Sequence, residues 1–127
     1  MENTDLKERE LGKITNTMLG KEDHGIFTFV LYFDFGDSGQ GFGTYRLDKY
    51  NKKKEEAEGS AFGLEAIMRV LEAVGVDTWE ELPGNEMWVI RDESKMIRAI
   101  EAPKYRKSAG RRFDIRELAE KYKNEVC

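Results

Sequence analysis

The residues best suited to chemistry lie in one cationic stretch near the end of an acidic chain. Residues 104–112 read KYRKSAGRR, with five positive charges and no negative one. Because the whole chain carries −4 and this stretch carries +5, the remaining residues together carry −9. A concentrated cationic loop on an anionic body suits contact with an anion, either a phosphate-bearing small molecule or an acidic protein face. The alternative is a solvated turn with no ligand.

Three arginines, Arg111, Arg112 and Arg116, surround the expected start of the last helix. A helix N-terminus offers free N–H groups and partial positive charge, and guanidinium forks add donors suited to phosphate. Arg112 and Arg116 are four residues apart, so they share a side if the helix begins early enough. These features predict a phosphate site. The alternative is a surface ion pair of Arg116 with Glu117 or Glu120.

Aromatic side chains and one histidine complete the set of candidate ligand-binding residues. Tyr105, inside the cationic stretch, is a candidate for stacking, and Arg106 next to it is a further cation. Trp88 shares a strand face with Ile90, so it belongs either to the core or to a flat surface on which a nucleobase stacks. Trp79 is expected to pack against the core. His24, the only histidine, either caps a polar turn or contacts an anionic ligand or partner subunit.

Other kinds of chemistry find little support in the sequence. Residues 39–43 (GQGFG) are not a dinucleotide fingerprint, because they follow a predicted hairpin instead of opening a helix. The lone histidine has no second His or Cys cluster to complete a metal site. Cys127, the single cysteine, is the last residue of this sequence. We therefore expect no metal, no cofactor and no catalytic residues, and a binding protein instead of an enzyme.

Five predicted strands and two main helices must position these residues. The predicted strands span 11–19, 26–35, 39–47, 86–91 and 95–100, and the main helices span 60–75 and 114–124. A single helical turn covers 79–82, and 48–59 is predicted to be a hydrophilic loop. The order β-β-β-α-β-β-α indicates the α+β class, with an antiparallel sheet of about five strands covered by helices on one side.

The predicted core has one strand face and one helix face. Strand 26–35 places apolar residues on one face with a period of two: Phe27, Phe29, Leu31, Phe33 and Phe35. The helix after Ser60 presents Phe62, Ile67, Val70, Leu71 and Val74 on one stripe. Gly41 and Gly43 leave one face of the third strand bare, which is typical of close approach by another group.

Length and composition limit the domain count and the partners. The chain has 127 residues, which fits a single ligand-binding domain over 11–127. Residues 1–10 are strongly charged and lack apolar periodicity, which predicts a flexible acidic arm. Its acidic balance disfavours DNA or RNA as a partner. The longest apolar-rich run, 25–35, is too short to cross a membrane. A single cysteine suits a reducing cytoplasm.

Several segments resemble a family of small phage-encoded proteins, the first type of Thoeris anti-defence protein. The segments are 19–26 (LGKEDHGI), 39–48 (GQGFGTYRLD), 63–76 and the pair Trp79-Glu80, and the resemblance covers about residues 11–118. It implies a sponge that binds a cyclic ADP-ribose-type immune signal in the host cytoplasm and holds it without cleaving it. Members of that family also sequester cyclic oligonucleotides in a separate site of a larger oligomer.

The resemblance also implies site residues. Arginines near the last helix and a histidine in an early turn are expected, and Arg106, Arg112, Arg116 and His24 are the matching positions here. A small domain seldom encloses such a ligand alone, so we expect a homo-oligomer, a dimer or dimer-based assembly, with the pocket at its interface. The competing hypothesis is a protein-binding inhibitor or adaptor whose basic loop docks on an acidic partner.

Overall fold

The computed structural model of the chain describes residues 9–22, 25–106 and 110–126. Within these residues the strands are β1 (Arg9–Lys21), β2 (Phe27–Asp34), β3 (Gly39–Gly43), β4 (Asp48–Asn51), β5 (Glu56–Gly59), β6 (Glu86–Arg91), β7 (Ile97–Glu101) and β8 (Phe113–Asp114). The α-helices are α1 (Ala61–Val74), α2 (Ile115–Lys121) and α3 (Lys123–Val126), and Trp79–Glu81 forms a 3-10 turn. The predicted α+β class is confirmed.

One antiparallel sheet of six strands carries the fold, in the order β3-β2-β1-β6-β7-β8. Phe42 on β3 and Phe113 on β8 belong to the two edge strands, yet their rings meet edge to face at 6.0 Å. The sheet is therefore strongly curled, as the right-handed twist of strands favours. Its concave face holds the core.

The apolar face predicted for the second strand is confirmed. Phe29, Leu31 and Phe33 on β2 are buried in the core, and Phe27 and Phe35 pack against it at the two ends. On the opposite face Thr28 is also buried. Its hydroxyl donates to the Tyr45 carbonyl at 2.6 Å, and this hydrogen bond compensates for the lost contact with water. Burying each large apolar side chain stabilises the fold by roughly 1.5–3 kcal/mol.

Helix α1 begins and ends where its sequence predicts. The Ser60 hydroxyl accepts from the Gly63 amide at 2.9 Å and donates to the Leu47 carbonyl at 2.7 Å. Gly75 ends the helix in the left-handed region, with φ +85°. The buried face of the helix consists of Phe62, Gly63, Ala66, Val70, Ala73 and Val74.

Four predicted boundaries are wrong, and three of them fail at a local turn. The predicted loop over 48–59 contains a two-stranded hairpin, β4–β5, with Glu55 at φ +55° in its turn. The third strand ends at Gly43 because Gly43 and Thr44 both take positive φ, which interrupts a ladder. The last helix breaks at Tyr122 into α2 and α3. The first strand begins at Arg9, inside the predicted arm, and residues 1–8 lie outside the described residues.

A bulge in β1 decides which of its side chains face the core. Leu19 and Thr17 pair with Phe29 and Leu31 of the core face, but the register shifts between Ile14 and Asn16. After the shift Ile14 and Gly12 lie on the core face, and odd-numbered residues 9, 11 and 13 lie on the convex face. The bulge thus moves odd-numbered residues from the core face, where Thr17 and Leu19 lie, to the convex face.

Candidate functional site

Arg106 has a contact inside the protein that the sequence did not predict. Its guanidinium donates to the Val74 carbonyl in the last turn of α1, and its second terminal nitrogen is buried and finds no hydrogen-bond partner within residues 9–22, 25–106 and 110–126. Nearby, the Gly110 amide donates to the Glu72 carbonyl at 2.7 Å. Two positions within the cationic stretch, Arg106 and Gly110, are therefore tied to the C-terminal end of α1, where carbonyl groups lack helical partners.

Arg112 and Arg116 do not share a side of the last helix, because the helix does not begin early enough. Helix α2 begins only at Ile115, so Arg112 precedes the helix and the four-residue spacing is not helical. Arg112 pairs with Glu101 at 3.1 Å, at the end of β7, whereas Arg116 pairs with Asp92 at 2.9 Å, in the turn before β7. The Asp114 carboxylate caps the start of α2, where it accepts a hydrogen bond from the Glu117 amide at 3.1 Å. An acidic side chain therefore occupies the position predicted for a phosphate.

Three of the predicted site residues meet on the convex face of the sheet. Leu11, Trp88 and Glu101 stand opposite one another across β1, β6 and β7. Arg112 extends this row at the next strand through its ion pair with Glu101. Glu86 lies two residues before Trp88 on the same face, and the Tyr105 hydroxyl donates to it at 2.5 Å. We call the surface formed by Arg9, Leu11, Trp88, Tyr105 and Arg112 the aromatic platform.

Charged groups fix both rings of the aromatic platform. The Arg9 guanidinium lies 4.2 Å from the centroid of the Trp88 ring, a cation–π contact. The hydrogen bond to the Glu86 carboxylate raises the pKa of Tyr105, so its hydroxyl stays a donor over a wider pH range. Tyr105 is 65% exposed and Trp88 is half-buried. The platform therefore offers planar apolar surface beside fixed positive charge.

Of the two alternatives left open for Trp88, the core is excluded. Met87 and Val89 point into the core, and alternation along β6 places Trp88 and Ile90 on the convex face. The expectation for Trp79 is confirmed, since its ring packs edge to face on Phe29 at 5.5 Å. His24 and Lys107 lie outside the described residues.

A groove between α1 and α2 adjoins the aromatic platform. It has a volume of about 410 Å³ and is lined by four cations, Arg69, Arg111, Arg112 and Lys121, together with acidic and apolar side chains. Arg112 borders both surfaces. Arg111 is exposed, and among the described residues no side chain pairs with it. We call this surface the cationic groove.

Sequence reasoning missed Arg9, Arg69 and Leu11 as members of these surfaces. Arg9 was assigned to the acidic arm, and only the strand pairing of β1 with β6 brings it to Trp88. Arg69 comes from α1, far along the chain from the cationic stretch. The alternation of Arg9, Leu11 and Lys13 was the one available signal, and it points to a strand that begins earlier than residue 11.

No family model, curated protein or solved structure matches this chain.

Residues 9–22, 25–106 and 110–126 contain no group of three or more His, Cys, Asp or Glu placed to hold a metal ion. No helix in those ranges is long and apolar enough to cross a membrane.

The Glu65 carboxylate, which lines the cationic groove, makes stability depend on pH. The Tyr122 hydroxyl donates to Glu65 at 2.5 Å, and this hydrogen bond is the main reason that the pKa of Glu65 lies below its ordinary value. A carboxyl whose pKa is lowered by folding stabilises the native state above its ordinary pKa, and this contribution disappears as the pH falls through the folded value.

Tyr122→Phe should therefore lower the free energy of unfolding by about 1 kcal/mol at neutral pH and by much less near pH 3. Urea denaturation of both proteins at the two pH values measures the difference. Tyr50→Phe is the control, since Tyr50 is 54% exposed and should behave as the wild type does at both. An equal loss for Tyr122→Phe at both pH values would contradict the assignment.

Proposed function

We propose that the protein binds an anionic nucleotide on the aromatic platform and holds it without cleaving it. The resemblance of its sequence to phage anti-defence sponges suggests a cyclic ADP-ribose-type signal in the cytoplasm of an infected cell. The observation that carries the proposal is the meeting of Trp88, Tyr105 and Arg112 on one face of the sheet, with Arg9 stacked on Trp88.

The aromatic platform supplies the groups that such a ligand needs. A nucleobase replaces the Arg9 guanidinium on the Trp88 ring, and stacking of this kind contributes about 1–3 kcal/mol per base. The displaced Arg9 then has its fork of donors free for a phosphate. On the other side of Trp88, Arg112 leads to the cationic groove, where Arg111 is available for a second phosphate.

A second copy of the chain would complete the site. Tight sequestration at nanomolar concentration needs about −12 kcal/mol, more than one stacked base and a few exposed ion pairs supply. The aromatic platform is open to solvent on its convex side, so a two-fold partner laid over it would cover the base and exclude water. We therefore propose a dimer or dimer-based assembly as the binding form.

Trp88→Ala should weaken nucleotide binding about 10- to 100-fold, because the stacking surface is lost. Isothermal titration of cyclic ADP-ribose isomers and cyclic dinucleotides into both proteins measures the change. Tyr32→Ala is the matched control, since Tyr32 is an aromatic residue on the same convex face, 43% exposed and outside the platform. If Trp88→Ala keeps both the melting temperature and the nucleotide affinity of the wild type, the aromatic platform is not the binding site.

The fate of the ligand separates a sponge from an enzyme. The protein is incubated with the nucleotide that binds best, the free nucleotide is measured, and the complex is then heated. A sponge releases the intact nucleotide only after heating. Recovery of a hydrolysed product would place the protein among enzymes.

The exposure of three described residues of the cationic stretch favours a second candidate, an adaptor that docks on an acidic protein. Lys104, Tyr105 and Arg111 are all exposed. In this case Arg111→Glu combined with Arg112→Glu abolishes capture of the partner, and no nucleotide raises the melting temperature of the wild type. A nucleotide at 100 times its Kd adds about 2.7 kcal/mol to stability, so a thermal shift screen distinguishes the two.

A further inference from the structure

A recess separate from the cationic groove lies at the opposite end of β7 from the aromatic platform. There the two edges of the curled sheet come close together. Strands β3 and β7 approach there without pairing. They leave a recess of about 260 Å³ between Gly43, Thr44, Ile97 and the side chains of α2. Its lining includes two arginines, Arg98 and Arg116, and its apolar surface comes from Ile97, Ile115 and Tyr45.

Both arginines are held by carboxylates through part of their donor set. Arg98 donates from Nε to Asp114 at 2.8 Å, and Arg116 donates from one terminal nitrogen to Asp92 at 2.9 Å and Glu93 at 3.4 Å. Asp92 is itself fixed by the Ser94 and Met96 amides, at 2.8 and 3.1 Å. Among the described residues the other guanidinium nitrogens have no partner, so each arginine presents oriented donors at little entropic cost.

The rim of the recess has an unusual backbone. Thr44 lies at φ +66°, a region that β-branched residues rarely adopt. The Thr44 amide donates to the Phe29 carbonyl at 2.8 Å, and a side chain at Gly43 would meet that same carbonyl at 2.6 Å. The surrounding contacts thus hold a strained conformation in place, and strain of this kind clusters at ligand sites.

We propose that this recess binds a small organic monocarboxylate with a compact apolar body. The volume equals that of roughly nine water molecules, below the usual range for nucleotide-sized ligands. A planar carboxylate matches the fork of guanidinium donors, and the apolar lining takes the body. The two arginines already meet three carboxylates, so the recess suits at most one further negative charge, held by the guanidinium donors that Asp92, Glu93 and Asp114 leave unused. The inference is independent of the nucleotide proposal.

Benzoate and benzamide are suitable probes, since they share a ring and differ in the charge of the head group. Titration of the full chain, followed by amide NMR shifts, should show saturable binding of benzoate centred on Thr44, Ile97 and Ile115. Benzamide should bind at least about tenfold more weakly, because it lacks the charge that the arginines recognise.

Charge variants at the mouth of the recess test the site without disturbing the core. Met96 lines the recess and is 54% exposed, so Met96→Lys and Met96→Glu should both fold. The lysine variant should bind benzoate about tenfold more tightly than the glutamate variant. The same two changes at Met68, 51% exposed on α1, should leave benzoate binding equal.

Three results would overturn the proposal. They are the absence of saturable benzoate binding, equal binding of benzamide, and an equal effect of the charge changes at Met68 and Met96. Localised shifts together with the expected order of the two Met96 variants would establish the recess as a carboxylate site.

Discussion

Replacing Gly63 with alanine is expected to lower the free energy of unfolding by about 2–3 kcal/mol. Gly63 lies in the first turn of α1, and a Cβ there would come within 2.0 Å of the Leu47 carbonyl oxygen. The Ser60 hydroxyl binds that same carbonyl, so α1 and the segment before the β4–β5 hairpin are held at this distance. Helix propensity alone predicts the opposite result, a gain of about 1 kcal/mol.

Chemical denaturation of the purified variant decides between these two expectations. Gly59→Ala is the matched control, because a Cβ at Gly59 has no heavy atom within 4 Å. The control should unfold within about 0.5 kcal/mol of the wild type, as surface substitutions do. A Gly63→Ala variant more stable than the wild type would mean that α1 does not approach Leu47 as closely as described.

The second large effect is expected for Phe42→Ala, which should cost about 3–5 kcal/mol of stability. Phe42 is fully buried, and the centroid of its ring lies 6.2 Å from that of Phe29 and 6.0 Å from that of Phe113. It therefore joins the two edges of the curled sheet, β3 and β8, and its removal leaves a cavity between them.

Phe42→Leu refills most of that cavity and should recover a large part of the loss. Tyr32→Ala is the control on the neighbouring strand, since Tyr32 lies on the convex face and is 43% exposed. Thermal unfolding of the three variants should rank them Tyr32→Ala, Phe42→Leu, Phe42→Ala in order of increasing loss. Equal losses for Tyr32→Ala and Phe42→Ala would contradict the assignment of faces.

Most of the local structure could be predicted from residues close together in the sequence. The alternation of Phe29, Leu31 and Phe33 predicts β2 and its buried face, and Ser60 with Gly75 predicts the ends of α1. The fold class follows from the order of such elements. These features depend on backbone periods and caps that involve neighbours within a few residues, so the sequence alone carries them.

The composition of the candidate site could be predicted only in part. Trp88, Tyr105 and Arg112 were candidates on chemical grounds, but their meeting on one face requires the pairing of β6 with β7 and the contact of Tyr105 with Glu86. Arg112 and Arg116 are not grouped on one helix side, because α2 begins at Ile115, after Arg112. The exact start of a helix therefore decided whether the two arginines face the same way.

The sequence by itself determined the class of the fold, the buried face of β2, the caps of α1 and the presence of a cationic stretch on an acidic chain. Only the tertiary structure decided that Arg9 stacks on Trp88, because the bulge in β1 turns Arg9 to the convex face and the strand order places β6 beside β1. Strand order and register join residues far apart in the chain, and no local period encodes them.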